Sequence, residues 1–208
     1  MRYSHLITES FVDGPGRRAV LFLQGCPLAC PGCQNKHLWP REGGREASPI
    51  DLSWQLFTAN AEAVTISGGE PFEQADSLAL LLREIRKRAP HCHIIIYTGY
   101  TWQELMERAL VNWAIVTIWR LADVIVDGRF LRDLDNGLMQ YRGSANQRPI
   151  DVRATLERME RGGGIEPVVL DWDTPEVIVT TTGALLMPIG LDLIDDPASK
   201  TRRCGQTV

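Results

Sequence analysis

The sequence has 208 residues, of which 44% are hydrophobic and 23% are charged, a composition typical of a soluble globular protein with one or two small domains. The net charge is −4 and the basic residues are scattered among acidic ones, so no basic surface for nucleic acid is predicted. Residues 1–10 lack the apolar stretch of a signal peptide, and no apolar run approaches the ~20 residues that span a bilayer. We therefore expect a cytoplasmic protein that binds neither nucleic acid nor a membrane.

Four short β-rich runs, each ending in glycine, predict the strands of a parallel sheet. They cover residues 19–25, 63–68, 93–99 and 123–128. Continuous apolar runs of this kind are typical of strands that are buried on both faces. Leucines and an isoleucine at helical spacing predict a helix over 72–89. Thr101 with Glu104 three residues later forms a capping-box pattern that predicts a second helix start, and 113–121 predicts another short helix.

The alternation of strands and helices predicts an α/β fold built from right-handed βαβ units. About 130 residues are too few for a closed eight-stranded barrel, which takes ~250. We therefore expect an open partial (β/α) barrel of parallel strands over residues 1–161. The glycines at 162–164 introduce a C-terminal extension, residues 162–194, with a β-hairpin predicted over 176–187. Residues 195–208 are polar and predict a flexible tail.

Three cysteines, Cys26, Cys30 and Cys33, fall within eight residues directly after the first predicted strand. A disulfide framework does not have this spacing. Three thiolates on one short loop suit three irons of a [4Fe-4S] cluster and leave the fourth iron without a protein ligand. A second possibility is structural zinc, because His37 follows Cys33 at a spacing that completes a Cys₃His site. The cysteines alone leave both metals open.

Together with other motifs along the chain, this loop resembles the radical S-adenosylmethionine (SAM) superfamily. The sequence Ser67-Gly68-Gly69-Glu70-Pro71 ends the second predicted strand. Further segments resemble the activating enzymes of glycyl-radical enzymes, and most closely the subgroup that acts on anaerobic ribonucleotide reductases. Those segments are Val12–Gly16, Gln24–Cys26, Cys33–Asn35, Tyr97–Tyr100, Asp127–Phe130 and Arg142–Arg148. The resemblance spans about residues 10–150 and suggests no role for the last of these segments.

The resemblance implies that the three cysteines hold the cluster and that SAM chelates the open iron through its amino and carboxylate groups. It also implies a set of SAM-binding residues in the cysteine loop and at the strand ends: Gly32, Gln34, Asn35, Ser67, Gly68, Gly69, Glu70, Tyr97, Gly99, Asp127 and Arg129. In this set, Gly68 and Gly69 leave backbone groups bare, and Glu70 accepts from the SAM ammonium. Arg129 pairs with the SAM carboxylate or, alternatively, with Asp127 or Asp123.

Gly32 departs from the wider superfamily, in which many members carry an aromatic residue that touches the adenine at this position. The activating subgroup tends to have glycine there. Adenine contact is therefore expected from the backbone or from elsewhere in the chain.

The activity implied by the resemblance is reductive cleavage of SAM at the cluster, with one electron from a low-potential donor, to give methionine and a 5′-deoxyadenosyl radical. In an activating enzyme this radical abstracts hydrogen from a glycine of a large partner reductase, and no catalytic residue is required beyond the cluster and SAM. Two alternatives stay open: a radical SAM maturase of a ribosomally made precursor peptide, with or without a small partner protein, and a non-catalytic zinc or iron–sulfur module. Such maturases often carry auxiliary clusters, for which Cys92 and Cys204 are too few and too far apart.

Overall fold

The computed structural model describes residues 1–57 and 63–173, together with the backbone of two short strands at 178–179 and 185–186. The helices are α1 Pro49–Phe57, α2 Ala75–Arg88, α3 Trp102–Ala109, α4 Trp113–Leu121 and α5 Val152–Glu160. The strands are β1 Arg2–Ser10, β2 Arg18–Leu23, β3 Arg45–Glu46, β4 Ala63–Gly68, β5 His93–Tyr97, β6 Val124–Asp127, β7 Arg148–Asp151, β8 Val168–Val169, β9 Ile178–Val179 and β10 Leu185–Leu186. The helices predicted from periodicity are present, and the capping box of Thr101 and Glu104 starts α3 as expected.

Strands β1 to β8 form one open sheet in the order β3-β1-β2-β4-β5-β6-β7-β8. The four central strands, β2, β4, β5 and β6, pair in parallel as predicted. The four outer strands, β1, β3, β7 and β8, were not predicted, and all of them pair antiparallel at the two sides of the sheet. Antiparallel neighbours need only short connections and no crossover helix, which is why helical periodicity did not reveal them.

Alternate residues of the central strands face the helices and form the main core. On β2 these are Ala19, Leu21 and Leu23, which are fully buried. The apolar side of α2 packs on the same face, and Trp102 of α3 stacks on Trp119 of α4 with ring centroids 4.8 Å apart. The carboxyl ends of the four parallel strands lie at the same edge of the sheet, so the loops that follow these strands meet there.

The other face of the sheet is covered at the amino end of the parallel strands by the segment that precedes β2. Arg18 is fully buried and its Nε donates to Thr65 Oγ1 (2.6 Å), which donates to the Asp13 carbonyl (2.8 Å). A Cβ on Gly14 would lie 2.6 Å from Ile95 Cδ1, so this position requires glycine. The Val12–Gly16 motif therefore packs the end of the sheet opposite the cysteine loop.

Strands β9 and β10 pair antiparallel, with Val179 opposite Leu185, in agreement with the predicted C-terminal hairpin. The connecting turn, the predicted tail 195–208 and Cys204 lie outside the described residues. The division into a core and an extension stays a prediction. Across the part of the chain that the structure describes, no helix combines the length and apolar character needed to cross a membrane.

Candidate functional site

The cysteine loop begins where β2 ends, at the carboxyl edge of the parallel strands. Its first residues are fixed by the following segment, because the N–H of Gly25 donates to the Leu38 carbonyl (2.8 Å) and the N–H of Cys26 to the Trp39 carbonyl (3.0 Å). Gln24 is buried and donates through Nε2 to the Pro40 carbonyl (2.8 Å). The loop is therefore tied at its entrance, and Cys26 has a defined position.

The three cysteines of the loop are free thiols of intermediate burial. Burial raises the pKa of Cys26 and of Cys30 above the usual value, although backbone N–H groups that point at each sulfur oppose the rise. For Cys33 the N–H of Asn35 donates to Sγ at 3.4 Å. Metal binding would have to displace these thiol protons.

The arrangement of the thiols bears on the choice between a cluster and zinc. Within residues 1–57 and 63–173, no three His, Cys, Asp or Glu side chains converge closely enough to hold a single metal ion. A structural zinc site draws four ligands around one ion, whereas a [4Fe-4S] cluster spreads its thiolates over separate irons. Three thiols on one loop are the donor set of a [4Fe-4S] cluster with one open iron, and His37 is an exposed residue whose carbonyl accepts from Gln24 (3.4 Å).

The two glycines of the Ser67–Pro71 motif allow its backbone to pack closely against the start of the cysteine loop. The N–H of Gly69 donates to the Leu23 carbonyl and that of Glu70 to the Gly25 carbonyl, both at 2.8 Å. A Cβ on Gly69 would lie only 2.3 Å from the Gly25 oxygen, and one on Gly68 2.4 Å from the Leu23 nitrogen. The expectation that these glycines leave backbone groups bare needs correction, since the amides of Gly69 and Glu70 are already bonded within the chain.

Glu70 lies inside the protein with 1% of its surface exposed. Its carboxylate accepts from the Phe72 N–H (3.0 Å), the Thr98 hydroxyl (2.7 Å) and the Gly99 N–H (2.8 Å). Burial raises the pKa of Glu70 to about 7 against the opposing effect of these hydrogen bonds. Glu70 therefore joins the loop after β4 to the loop after β5, and its contact with a SAM ammonium stays a prediction.

Tyr97 and Gly99 lie where the loop after β5 meets the cysteine loop. A Cβ on Gly99 would lie 2.4 Å from Leu28 Cδ1, so glycine makes room for the side chain of Leu28 between the first two cysteines. The Tyr97 hydroxyl donates to the Tyr141 carbonyl, and burial raises the Tyr97 pKa. Ser67 lies beside Phe22 on the same edge of the sheet and is partly exposed.

Arg129 and Asp127 belong to two separate ion pairs. Arg129 binds Glu104 through both terminal nitrogens, at 2.9 and 3.2 Å, so the alternative that it pairs with Asp127 or Asp123 is wrong. Asp127 is 1% exposed and accepts from Arg148 Nε (3.0 Å) and Nη2 (2.6 Å). The carboxylate of Asp127 is therefore hydrogen-bonded within its own chain, and its contact with SAM stays a prediction.

The structure assigns contacts to the Arg142–Arg148 segment, for which the sequence suggested no role. Side chains of this segment hold the backbone of residues 128–131 through three hydrogen bonds: Gln147 Nε2 to the Gly128 carbonyl (3.1 Å), Asn146 Nδ2 to the Arg129 carbonyl (2.8 Å) and the Leu131 N–H to Ser144 Oγ (3.1 Å). The signal in the sequence was a run of hydroxyl and amide side chains after an irregular loop, which is typical of backbone capping.

Gly32 is covered by a side chain from the loop after β6. A Cβ at Gly32 would lie 2.7 Å from the Nε of Arg132. The guanidinium of Arg132 therefore occupies the space that an aromatic residue would need at this position. Gln34 is exposed and Asn35 is partly exposed. The four loops that follow the parallel strands thus meet around the three cysteines.

Comparisons with known proteins agree with this geometry. A family model described as a 4Fe-4S single cluster domain matches residues 12–150. Proteins named anaerobic ribonucleoside-triphosphate reductase-activating protein from Salmonella typhi and Escherichia coli are each 32% identical over 154 residues, which is 71% of this chain and 96% of theirs. The protein of that name from phage T4 is 29% identical over 153 residues, 71% of this chain and 92% of its own.

The match covers all four loops of the site and two thirds of the chain, so the class of protein is defined by more than the cysteine spacing. The chain belongs to the family of anaerobic ribonucleoside-triphosphate reductase-activating proteins, and it is a radical SAM enzyme whose cofactors are a [4Fe-4S] cluster and SAM. The resemblance stated from the motifs is thereby confirmed, and the 4Fe-4S family model favours the cluster over zinc.

Proposed function

We propose that this protein activates a partner anaerobic ribonucleotide reductase by forming a radical on one of its glycines. The observation that carries the proposal is the extent of the similarity: relatives named for activating that reductase align with this chain over 92–96% of their own length. The cysteine loop, the Ser67–Pro71 motif and the loop after β6 all lie within the matched region.

In the proposed site, Cys26, Cys30 and Cys33 hold three irons of the cluster. When bound, the cluster and SAM supply the one-electron chemistry: an electron from a low-potential donor cleaves SAM to methionine and a 5′-deoxyadenosyl radical, which takes a hydrogen atom from glycine and becomes 5′-deoxyadenosine. The chain's own task is to place the thiolates, bind SAM and exclude water. No general base or nucleophile is needed.

The contacts of Arg129 support a role in SAM binding. A guanidinium carries five N–H donors, and the ion pair with Glu104 uses two of them. Arg129 follows β6 at the same carboxyl edge of the sheet as the cysteine loop, which is where SAM would chelate the open iron. We propose that Arg129 binds the SAM carboxylate while Glu104 holds it.

The metal assignment is tested by anaerobic reconstitution. We expect about four irons and four sulfides per chain. Alanine in place of Cys26, Cys30 or Cys33 should abolish the bound cluster, because each thiolate holds one iron. His37→Ala is the matched control from the same loop and should keep the full iron content. A protein that retains its iron without Cys30 would refute the ligand assignment.

The reaction is tested with the partner reductase, SAM and a reductant in the absence of oxygen. We expect 5′-deoxyadenosine together with a doublet electron paramagnetic resonance signal, because the remaining α-hydrogen of a glycyl radical splits the unpaired spin. A precursor peptide that changes mass while the reductase gains no radical would establish the maturase alternative instead. SAM cleavage with neither a glycyl radical nor a modified peptide would contradict both the reductase and the precursor peptide as partners.

A further inference from the structure

A short segment beyond the family match lies on the face of the sheet opposite the helices. Residues 170–173, here called the strap, directly follow β8, whereas the match to the family model ends at residue 150. Strand β8 pairs antiparallel with β7, which itself pairs antiparallel with β6. Strand β8 therefore runs in the same direction as β6, and the strap leaves it towards the carboxyl edge, where the site lies.

The strap completes a second apolar cluster on that face of the sheet. The buried members of the cluster come from β5 and β6, and three partly buried side chains pack against them. The buried members are Ile95, Val124 and Val126, and the others are Tyr97, Leu170 and Trp172. The N–H of Leu170 donates to the Pro149 carbonyl (2.7 Å). Tyr97 and Trp172 therefore share one apolar support, and the strap is fastened to it.

The far end of the strap contacts the loop after β6. The ring of Trp172 meets the ring of Tyr141 edge to face, with the ring centroids 5.6 Å apart and the planes at 88°. The next residue of each segment forms an ion pair, in which the largely buried side chain of Arg142 binds Asp173. Two adjacent contacts thus hold residues 141–142 against the strap.

Tyr141 has an unusual backbone conformation. Its φ is +54°, in the left-handed region, which among the described residues other than glycine is shared only by Ala29. A bulky residue rarely adopts this conformation and keeps it only where the surrounding contacts hold it there. The edge contact with Trp172 and the neighbouring ion pair supply such contacts. The conformation has a consequence for the site, because the carbonyl of Tyr141 accepts the hydroxyl of Tyr97.

We propose that Trp172 is a positioning residue for SAM binding: it holds Tyr141 in the left-handed conformation, and Tyr141 in turn fixes Tyr97 at the SAM site. A tyrosine whose hydroxyl is anchored keeps its ring in one orientation, so the binding of SAM does not have to order that ring. Trp172 acts through the two tyrosines and is not itself a ligand of SAM. The inference rests on the proposed function and on the expectation that Tyr97 belongs to the SAM site.

The test measures the dissociation constant of SAM by equilibrium dialysis of the reconstituted protein without reductant, so that no SAM is cleaved. Trp172→Leu keeps an apolar side chain on the cluster but removes the ring that meets Tyr141, whereas Trp172→Phe keeps a ring. Trp113→Leu is the matched control, because Trp113 is an exposed tryptophan of α4. Affinity is expressed per bound cluster, and the urea midpoint of each cluster-free variant separates SAM binding from folding.

We expect Trp172→Leu to bind SAM about tenfold more weakly, because the aromatic contact offsets part of the cost of the left-handed backbone. Trp172→Phe should recover most of the affinity, and Trp113→Leu should match the wild type. Adding Tyr141→Asn to Trp172→Leu should also recover affinity, since asparagine adopts the left-handed conformation readily. Unchanged SAM affinity in Trp172→Leu, or a loss that neither of these changes recovers, would overturn the proposal.

The path through Tyr97 is tested by a double-mutant cycle. Tyr97→Phe removes the hydroxyl that the Tyr141 carbonyl anchors, so it should itself weaken SAM binding. In the Tyr97→Phe protein, Trp172→Leu should add little, because the two changes break the same connection. Losses that multiply, or unchanged SAM affinity in Tyr97→Phe, would refute this path. A wild-type protein that binds no SAM would refute the proposed function itself, so the two failures are distinguishable.

Discussion

Replacing Glu70 with alanine should destabilise the protein even when no SAM is present. The substitution removes the acceptor of two buried backbone N–H groups, those of Phe72 and Gly99, and of the Thr98 hydroxyl. A buried donor left without an acceptor costs about 1–3 kcal/mol, and the hydroxyl can rotate to another partner. The two amides therefore set an expected loss of about 2–6 kcal/mol in the free energy of unfolding.

The loss is measured by urea unfolding of the cluster-free protein with its cysteines kept reduced. With a slope of about 2 kcal/mol per molar urea, the unfolding midpoint of Glu70→Ala should fall by about 1–3 M. Glu157→Ala is the matched control, because Glu157 is exposed and pairs with Arg153 on the surface of α5. Such pairs contribute at most about 1 kcal/mol, so this midpoint should move little.

A role for Glu70 in SAM binding alone predicts a different outcome for the same variant. If Glu70 serves as an acceptor for the SAM ammonium and holds no part of the fold, Glu70→Ala unfolds at the wild-type urea concentration and loses only SAM affinity. An unchanged urea midpoint together with weaker SAM binding would refute the structural role of Glu70. Loss of stability without SAM present would establish that Glu70 joins the two loops before any cofactor binds.

Three further predictions follow from the buried charges and the glycine contacts. Burial raises the pKa of Glu70 to about 7 from an ordinary 4.5, so the free energy of unfolding should decrease by up to about 3 kcal/mol as pH rises from about 4.5 to 7. Glu70→Gln should flatten this part of the stability curve, and parallel curves for the variant and the wild type would contradict the prediction. Arg148→Met should cost about 2–4 kcal/mol in thermal unfolding, because it strands the buried Asp127 carboxylate, and adding Asp127→Asn should recover part of that loss. Gly69→Ala should lower the iron content after reconstitution, because its Cβ would collide with the Gly25 carbonyl; wild-type iron would contradict the packing argument.

The parallel centre of the sheet was predictable because its strands are buried on both faces and appear as unbroken apolar runs. The antiparallel flanks were not. In β1 the sequence RYSHLITES mixes polar with apolar residues, and most of its side chains are partly or fully exposed. Strand β7 has four residues and includes Pro149, which weakens any strand signal. Both strands are defined by pairing with distant residues, which local patterns do not encode.

The ion pair of Arg129 could not be predicted from the sequence, for a related reason. Several carboxylates lie near Arg129 in the sequence, and the sequence left the SAM carboxylate and the near neighbours Asp127 and Asp123 open as its partners. The actual partner, Glu104, is 25 residues away and is held by the N-terminal cap of α3. Only the packing of α3 beside β6 brings the two together, whereas the cysteine motif is contiguous and could be read directly.

The motifs that carry the family resemblance share one physical requirement, which is contact with the cysteine loop. The loop after β4 reaches it through Gly69, and the loop after β5 reaches it through Gly99 beneath Leu28. The loop after β6 reaches it through Arg132, which lies over Gly32. Each contact is made by backbone atoms or at a glycine, which has no side chain. The contacts therefore depend on glycine and on backbone hydrogen bonds more than on apolar burial. Changes at these positions should therefore displace the thiols while the sheet beneath them stays folded.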